Sequence, residues 1–156
     1  GSGTRFTVYL PRATAQDNSG EPAVRKASTS SSSYGEESVL LVEDEEPLRS
    51  LLARVMLEHG YQVMEAGNAG EAFLIAEDST RKIDLVVTDV VMPHISGLHL
   101  ARRLRHMREG LRFLFISGYA EDLANLDLSE MPNTRLLQKP FEPITLVENV
   151  RLLLDS

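Results

Sequence analysis

The sequence predicts an α/β domain, a five-stranded parallel sheet wound on both faces by helices, and three observations predict it. Short, continuously apolar runs alternate with segments of helical period, and such runs are what strands buried on both faces look like. The alternation of five such strands with helices implies parallel pairing through right-handed crossovers. Aromatic content is only 6% with no Trp, so the core must come mainly from Leu, Val, Ile and Met, which suits a sheet covered by helices.

The elements follow in order. Val39-Leu40-Leu41-Val42 is the first strand, too apolar to face water. Pro47 opens a helix in its first turn, where a missing N–H costs nothing, and Gly60 ends it; Leu48, Leu51, Leu52, Val55 and Met56 form the expected apolar stripe. Tyr61 to Ala66 is the second strand, and Asn68 caps a helix carrying Ala72, Phe73, Ile75 and Ala76. Ile83 to Thr88 is the third strand, followed by a helix from Ser96 to Arg108. Within that helix Arg102, Arg103, Arg105 and Arg108 alternate with Leu100, Leu104 and Met107, which reads as a solvated face. Arg112 to Ile116 and Arg135 to Gln138 are the fourth and fifth strands, and a last helix from Pro143 is expected to bury Ile144, Val147, Val150 and Leu154 or their neighbours. Between those two strands Leu123 to Glu130 has a mixed period and is broken by Met131-Pro132-Asn133, so at most a short helix is expected there.

Upstream, Pro11 to Ser38 loses hydrophobic periodicity and ends in Ser28-Thr29-Ser30-Ser31-Ser32-Ser33, a composition that cannot offset the entropy of ordering. It is expected to be a flexible linker over 12–37, with the globular domain at 38–156. Before it, Arg5-Phe6-Thr7-Val8-Tyr9-Leu10 alternates as a single strand and stops at a proline.

Bulk properties exclude several functions. The 156 residues allow one domain and a tail, and the net charge of −7 gives no cationic excess to release phosphate counterions, so nucleic acid is not an expected partner. Without Cys there are no disulfides, thiolate metal sites or thiol nucleophile. No apolar run approaches the roughly 18 residues of a membrane span. The expectation is a soluble, cytoplasmic segment with no membrane contact.

In an open parallel sheet the carboxyl ends of the strands surround the ligand crevice. Here those ends carry Glu43-Asp44 after the first strand, Asp89 after the third, Ser117 after the fourth and Lys139 after the fifth. Each has an ordinary reading by itself: an acidic helix N-terminus, a turn aspartate, a Ser-Gly turn, a surface lysine. Their conjunction at successive strand ends points to chemistry. Three converging carboxylates need a compensating cation, and Mg2+ suits them because it prefers hard oxygens and binds through one or two carboxylates plus a phosphate. Asp89 would then be a nucleophile able to form an acyl phosphate, Lys139 would neutralise charge on the transferring oxygens, and Ser117 would hydrogen-bond the attached group.

The stretches Val39 to Glu45, Asp84 to Pro93, Ser96-Gly97, Phe115 to Tyr119 and Gln138-Lys139-Pro140-Phe141 resemble the response-regulator receiver family over residues 37 to 156. The resemblance implies a flavodoxin-like strand order 2-1-3-4-5, Asp89 as phosphorylation site, and Glu43, Asp44, Asp89 and the backbone carbonyl of Val91 as magnesium ligands. It also implies the conserved hydroxyl and lysine roles for Ser117 and Lys139, and a cis Lys139-Pro140 bond. One departure stands out: many receivers carry Tyr or Phe three residues before the lysine, where this chain has Leu136. With the weakly patterned 123–130 segment, it suggests an output that does not use the face formed by that segment's helix and the fifth strand. Val91 and Tyr119, each two residues past a site residue, are expected to slow hydrolysis of the acyl phosphate.

Residues 1–11 are similar to the closing glycine box and last strand of histidine-kinase ATP-binding domains, which implies the receiver of a hybrid histidine kinase tethered behind its own kinase core. A linker of this length reaches roughly 25 to 30 Å, making that docking intramolecular. The implied partners are that kinase core, a histidine phosphotransfer protein, or both. His59, His94, His99 and His106 read as surface or helix-end residues rather than phospho-donors. The rival functions are a metal-dependent phosphatase with an aspartyl nucleophile and a phosphorylation-independent docking module. The first usually carries an acid where Val91 stands. A nucleotide cradle is excluded by Glu43-Asp44-Glu45-Glu46, which replaces the glycine-rich loop with acids.

Overall fold

The computed structural model describes residues 36–118 and 131–156. The expectations for residues 1–11, for most of the linker, for Tyr119 and for the helix at 123–130 lie outside the described residues. Five strands, β1 (Ser38–Val42), β2 (Gln62–Ala66), β3 (Leu85–Asp89), β4 (Arg112–Ser117) and β5 (Thr134–Gln138), alternate with α1 (Glu46–Glu58), α2 (Ala69–Glu77), α3 (Gly97–Met107) and, after β5, α4 (Pro143–Leu154). The sheet is parallel throughout with order β2-β1-β3-β4-β5, the order the sequence implied.

The period of two along each strand divides the interior into two layers. Leu40, Val42, Val86, Phe113 and Phe115 point toward Ala72 and Ala76 of α2 and Leu100 and Leu104 of α3. Val39, Leu41, Leu85, Val87, Leu114 and Ile116 point the other way, onto Leu52 and Met56 of α1 and Leu146 and Val150 of α4. The central strands β1 and β3 are buried at every position, which is why Val39 to Val42 and Leu85 to Val87 read as unbroken apolar runs. At the start of α2 the Asn68 side chain accepts from the Glu71 N–H, as expected of a cap, and Glu71 reaches back to the Gly67 N–H. Gly60 has φ 91° after α1, a left-handed position that favours glycine, and His59 Nδ1 lies 2.8 Å from the Val55 carbonyl. The Lys139-Pro140 bond is cis.

Three expectations need correction. Leu51 and Ile144 are about half exposed; the buried stripes are Leu52, Ala53, Val55 and Met56 in α1, and Leu146, Val147, Val150 and Leu153 in α4. Both helices carry apolar residues around much of their circumference, so the inward face is chosen by the neighbours and not by the period alone. Asp89 and Ser117 do not follow their strands but close them, in register with Ile116 and Gln138 respectively. The arginines of α3 are not one solvated face. Arg102 and Arg103 are exposed, the Arg103 guanidinium lying 4.5 Å from the Phe73 ring centre, but Arg105 sits over Phe113 while donating to the Pro132 carbonyl. Just past the helix, Arg108 donates to the carbonyl of Ala76 in the last turn of α2 and to those of Asp78 and Arg81 in the turn beyond it.

Leu52→Ala should cost about 2–5 kcal/mol in urea unfolding, by loss of contacts and the cavity left behind. Leu51→Ala, one position away, should stay within about 1 kcal/mol. Equal losses would contradict the helix face assigned here.

Candidate functional site

The site is assembled where β1, β3, β4 and β5 end together. Glu43 follows β1 directly and is only 3% exposed; its N–H donates to the Ala66 carbonyl at 3.2 Å, which pins it to the end of β2. One carboxylate oxygen accepts from the Glu45 N–H at 3.2 Å and the other lies 3.5 Å from Lys139 Nζ. Desolvation pushes the Glu43 carboxyl above its ordinary range, against the pull of that N–H and of Lys139.

Asp89 is 8% exposed at the end of β3. Its Oδ1 accepts from the Val91 N–H at 2.8 Å and its Oδ2 accepts from Lys139 Nζ at 2.5 Å. Lys139 is therefore shared by two buried carboxylates. Burial draws the lysine down, but the hydrogen bond and charge of Asp89, with Glu43 adding, outweigh burial and hold it above its ordinary value. Ser117, fully buried, closes β4, and its carbonyl accepts the Lys139 N–H at 2.7 Å, so the hydroxyl-bearing strand end and the lysine move together.

Glu43, Asp89 and Lys139 thus meet directly, and Ser117 is bonded to Lys139 through the main chain. Asp44 does not join them; its side chain is exposed beside the site. Among the described residues no three carboxylate or imidazole groups are gathered closely enough to hold a metal by themselves. The convergence of three carboxylates expected from the sequence is two carboxylates and a lysine, with a third acid at the rim. That set still fits a hard cation, since every anionic donor is oxygen and magnesium completes its shell with water. Val91 is exposed beyond Asp89.

Two further residues shape this site: Gly97, which the sequence offered only within the Ser96-Gly97 motif, and Arg49, which it did not single out. Gly97 opens α3 so close to Asp89 that a Cβ there would come within 2.1 Å of the Asp89 carbonyl oxygen. Its N–H donates to the Val90 carbonyl at 3.0 Å, and the Thr88 hydroxyl holds the Asp89 carbonyl at 3.1 Å, so the main chain around Asp89 is fixed from both sides. Arg49, in the first turn of α1, donates to the Glu43 carbonyl at 2.7 Å. Its signal was a cation at the positive end of a helix, where the macrodipole disfavours one.

The model of the response regulator receiver domain matches residues 39–151. Over its whole length the chain is 36% identical to Sensor kinase CckA of Brucella abortus, of which it spans 17%. Among solved structures, the receiver domain of Hybrid Histidine Kinase CckA is 37% identical, covering 75% of this chain and 98% of its own, with a TM-score of 0.63. The response regulator protein TrrA of Thermotoga maritima, crystallised in complex with Mg(2+)-BeF, is 29% identical with a TM-score of 0.65, covering 75% of this chain and 98% of its own.

Gly97→Ala should destabilise the fold by about 1–3 kcal/mol, because the Asp89 main chain must shift to admit the methyl group. Glu43→Gln should do the reverse at neutral pH. A carboxyl raised in the folded state favours folding only while protonated, and that contribution is lost as pH rises from its ordinary value of 4.5 through its raised one. The gain from Gln should therefore fade as pH falls through that raised value toward 4.5 and be absent below it. Thermal unfolding across pH checks both, and a Gln variant equally stabilised in acid would contradict the burial argument.

Proposed function

We propose that this chain, which belongs to the response regulator receiver domain family of two-component systems, accepts a phosphoryl group on Asp89 from a phosphohistidine in a magnesium-dependent reaction. The observation that carries the reading is the pairing of Asp89 with Lys139 at 2.5 Å, beside buried Glu43, at the carboxyl ends of parallel strands. In the transfer, an Asp89 carboxylate oxygen attacks phosphorus, a P–O bond forms, and the P–N bond to the donor imidazole breaks. The imidazole, protonated on its other ring nitrogen in the phosphohistidine, leaves neutral. Lys139 is within reach of the Asp89 carboxylate and turns from that anion to the phosphoryl oxygens as their charge grows, while the Ser117 hydroxyl hydrogen-bonds the attached group. Glu43, Asp44, Asp89 and the Val91 carbonyl are the residues that would hold magnesium, which supplies charge neutralisation at the phosphoryl oxygens. TrrA, solved with Mg(2+)-BeF, supports the magnesium dependence of this reading.

The full-length similarity to Sensor kinase CckA supports the wider context as well. In this reading residues 1–11 are the end of a kinase ATP-binding domain, 12–37 are a tether, and 38–156 are the receiver of a hybrid histidine kinase acting in the cytoplasm. The partners are the kinase core of the same parent chain, a histidine phosphotransfer protein, or both. Among the described residues no helix is long and apolar enough to cross a membrane.

Phosphate-affinity electrophoresis after incubation with a small acyl-phosphate donor tests the chemistry. A retarded band is expected for the wild type with magnesium, and none for Asp89→Asn or without metal; an equal shift in Asp89→Asn would refute the assignment. Val91→Asn is expected to shorten the acyl-phosphate lifetime several-fold by admitting water to the exposed side of the site. An unchanged lifetime would remove Val91 from the account.

A further inference from the structure

We propose that Arg49 is a positioning residue for the acidic end of β1, acting through the Glu43 carbonyl to hold Glu43 and Asp44 in place for a divalent cation. The inference rests on the receiver reading above and extends it to a residue outside the reacting groups.

A guanidinium in the first turn of α1 stands against the helix dipole, so its location needs acceptors elsewhere. The side chain is 18% exposed; its Nη1 donates to the Glu43 carbonyl at 2.7 Å, and its Nε lies 3.6 Å from Glu65 Oε2, an ion pair beyond hydrogen-bond distance. The Glu65 main chain is in register with Leu41 in the β1–β2 ladder. The Arg49 fork therefore ties the turn after β1 to the end of β2.

The consequence falls on Glu43. Its N–H is held by the Ala66 carbonyl at 3.2 Å and its carbonyl by Arg49, so the peptide joining Glu43 to Asp44 is anchored at its oxygen. Rotation of that peptide would swing both acids away from Asp89, and a charge-assisted hydrogen bond is the stronger kind of restraint against it. The space for the guanidinium is also reserved. A Cβ at Gly67 would lie 3.2 Å from Arg49 Nη1, and the Gly67 turn is held in turn by Glu71, whose Oε2 accepts the Gly67 N–H at 2.7 Å. Four segments, the turn after β1, α1, the end of β2 and the turn before α2, close around one side chain that touches none of the reacting groups.

Magnesium titration of the 156-residue chain, followed by the backbone amide shifts of residues 43–45, reads the proposal without relying on phosphorylation. Arg49→Met is expected to weaken magnesium binding by roughly tenfold or more, the usual effect of losing an outer support of a metal site. Arg49→Lys, with one charged donor in place of a fork, should recover part of the loss. Arg49→Gln, which keeps a neutral donor on a shorter stem, should weaken binding in the same direction and carries the test if Arg49→Met does not fold. A role in stability alone would lower the melting temperature and leave the affinity of the folded protein unchanged. Wild-type affinity in a folded Arg49→Met or Arg49→Gln overturns the proposal. A wild-type chain whose amides show no saturable response to magnesium overturns the receiver reading, and this inference with it.

Discussion

Two carboxylates and one ammonium, Asp89, Glu43 and Lys139, occupy the same buried corner, and the rest of the site is arranged around keeping them there. The Lys139 Nζ lies 2.5 Å from Asp89 and 3.5 Å from Glu43. Taken out of water, either acid alone would be driven toward its neutral form, and the lysine alone likewise. Together they remain an ion pair with a second acid attached, and the balance is incomplete, since desolvation still raises Glu43. A buried cluster of this kind is weak support for stability. It is better understood as charge held in readiness for an incoming anion whose oxygens compete for the lysine.

What holds the cluster is almost entirely main chain. The parallel register brings Asp89 level with Ile116 and Ser117 level with Gln138, and the Lys139 N–H closes onto the Ser117 carbonyl. On the other side, Gly97 lets α3 begin against the Asp89 carbonyl with no side chain between. Arg49 does the same service for Glu43 with a guanidinium. The two acids are thus positioned by restraints on the peptides that bear them, a sturdier device than side-chain contacts because it limits rotation at the root.

This explains what could and could not be read from the amino acids. Val39 to Val42, Leu85 to Val87 and Phe113 to Ile116 were legible as strands because burial on both faces leaves an unbroken apolar run; the site residues were read from the strand ends, and the strand order from the resemblance to the family. The inward faces of α1 and α4 were misjudged at Leu51 and Ile144, where apolar residues surround the helix and only tertiary neighbours select a side. Arg105 and Arg108 were taken as solvated because their acceptors, the carbonyls of Pro132 and Ala76, lie 27 and 32 residues away. Arg49 escaped notice, and Gly97 stood only as part of a motif with no role, for a related reason. Their partners are backbone carbonyls, which leave no mark in the side-chain pattern, and Asp44 was counted as a third converging acid when its strand end leaves it at the rim.

The central claim is that the carboxylate beside Lys139 is the one that becomes covalently modified. The most direct measurement is borohydride reduction of the freshly phosphorylated chain followed by peptide mapping, since an acyl phosphate is reduced to the alcohol and marks its own position. Homoserine at position 89, and nowhere else, is the result this account predicts; homoserine at position 44 or 84, with Asp89 intact, would contradict it.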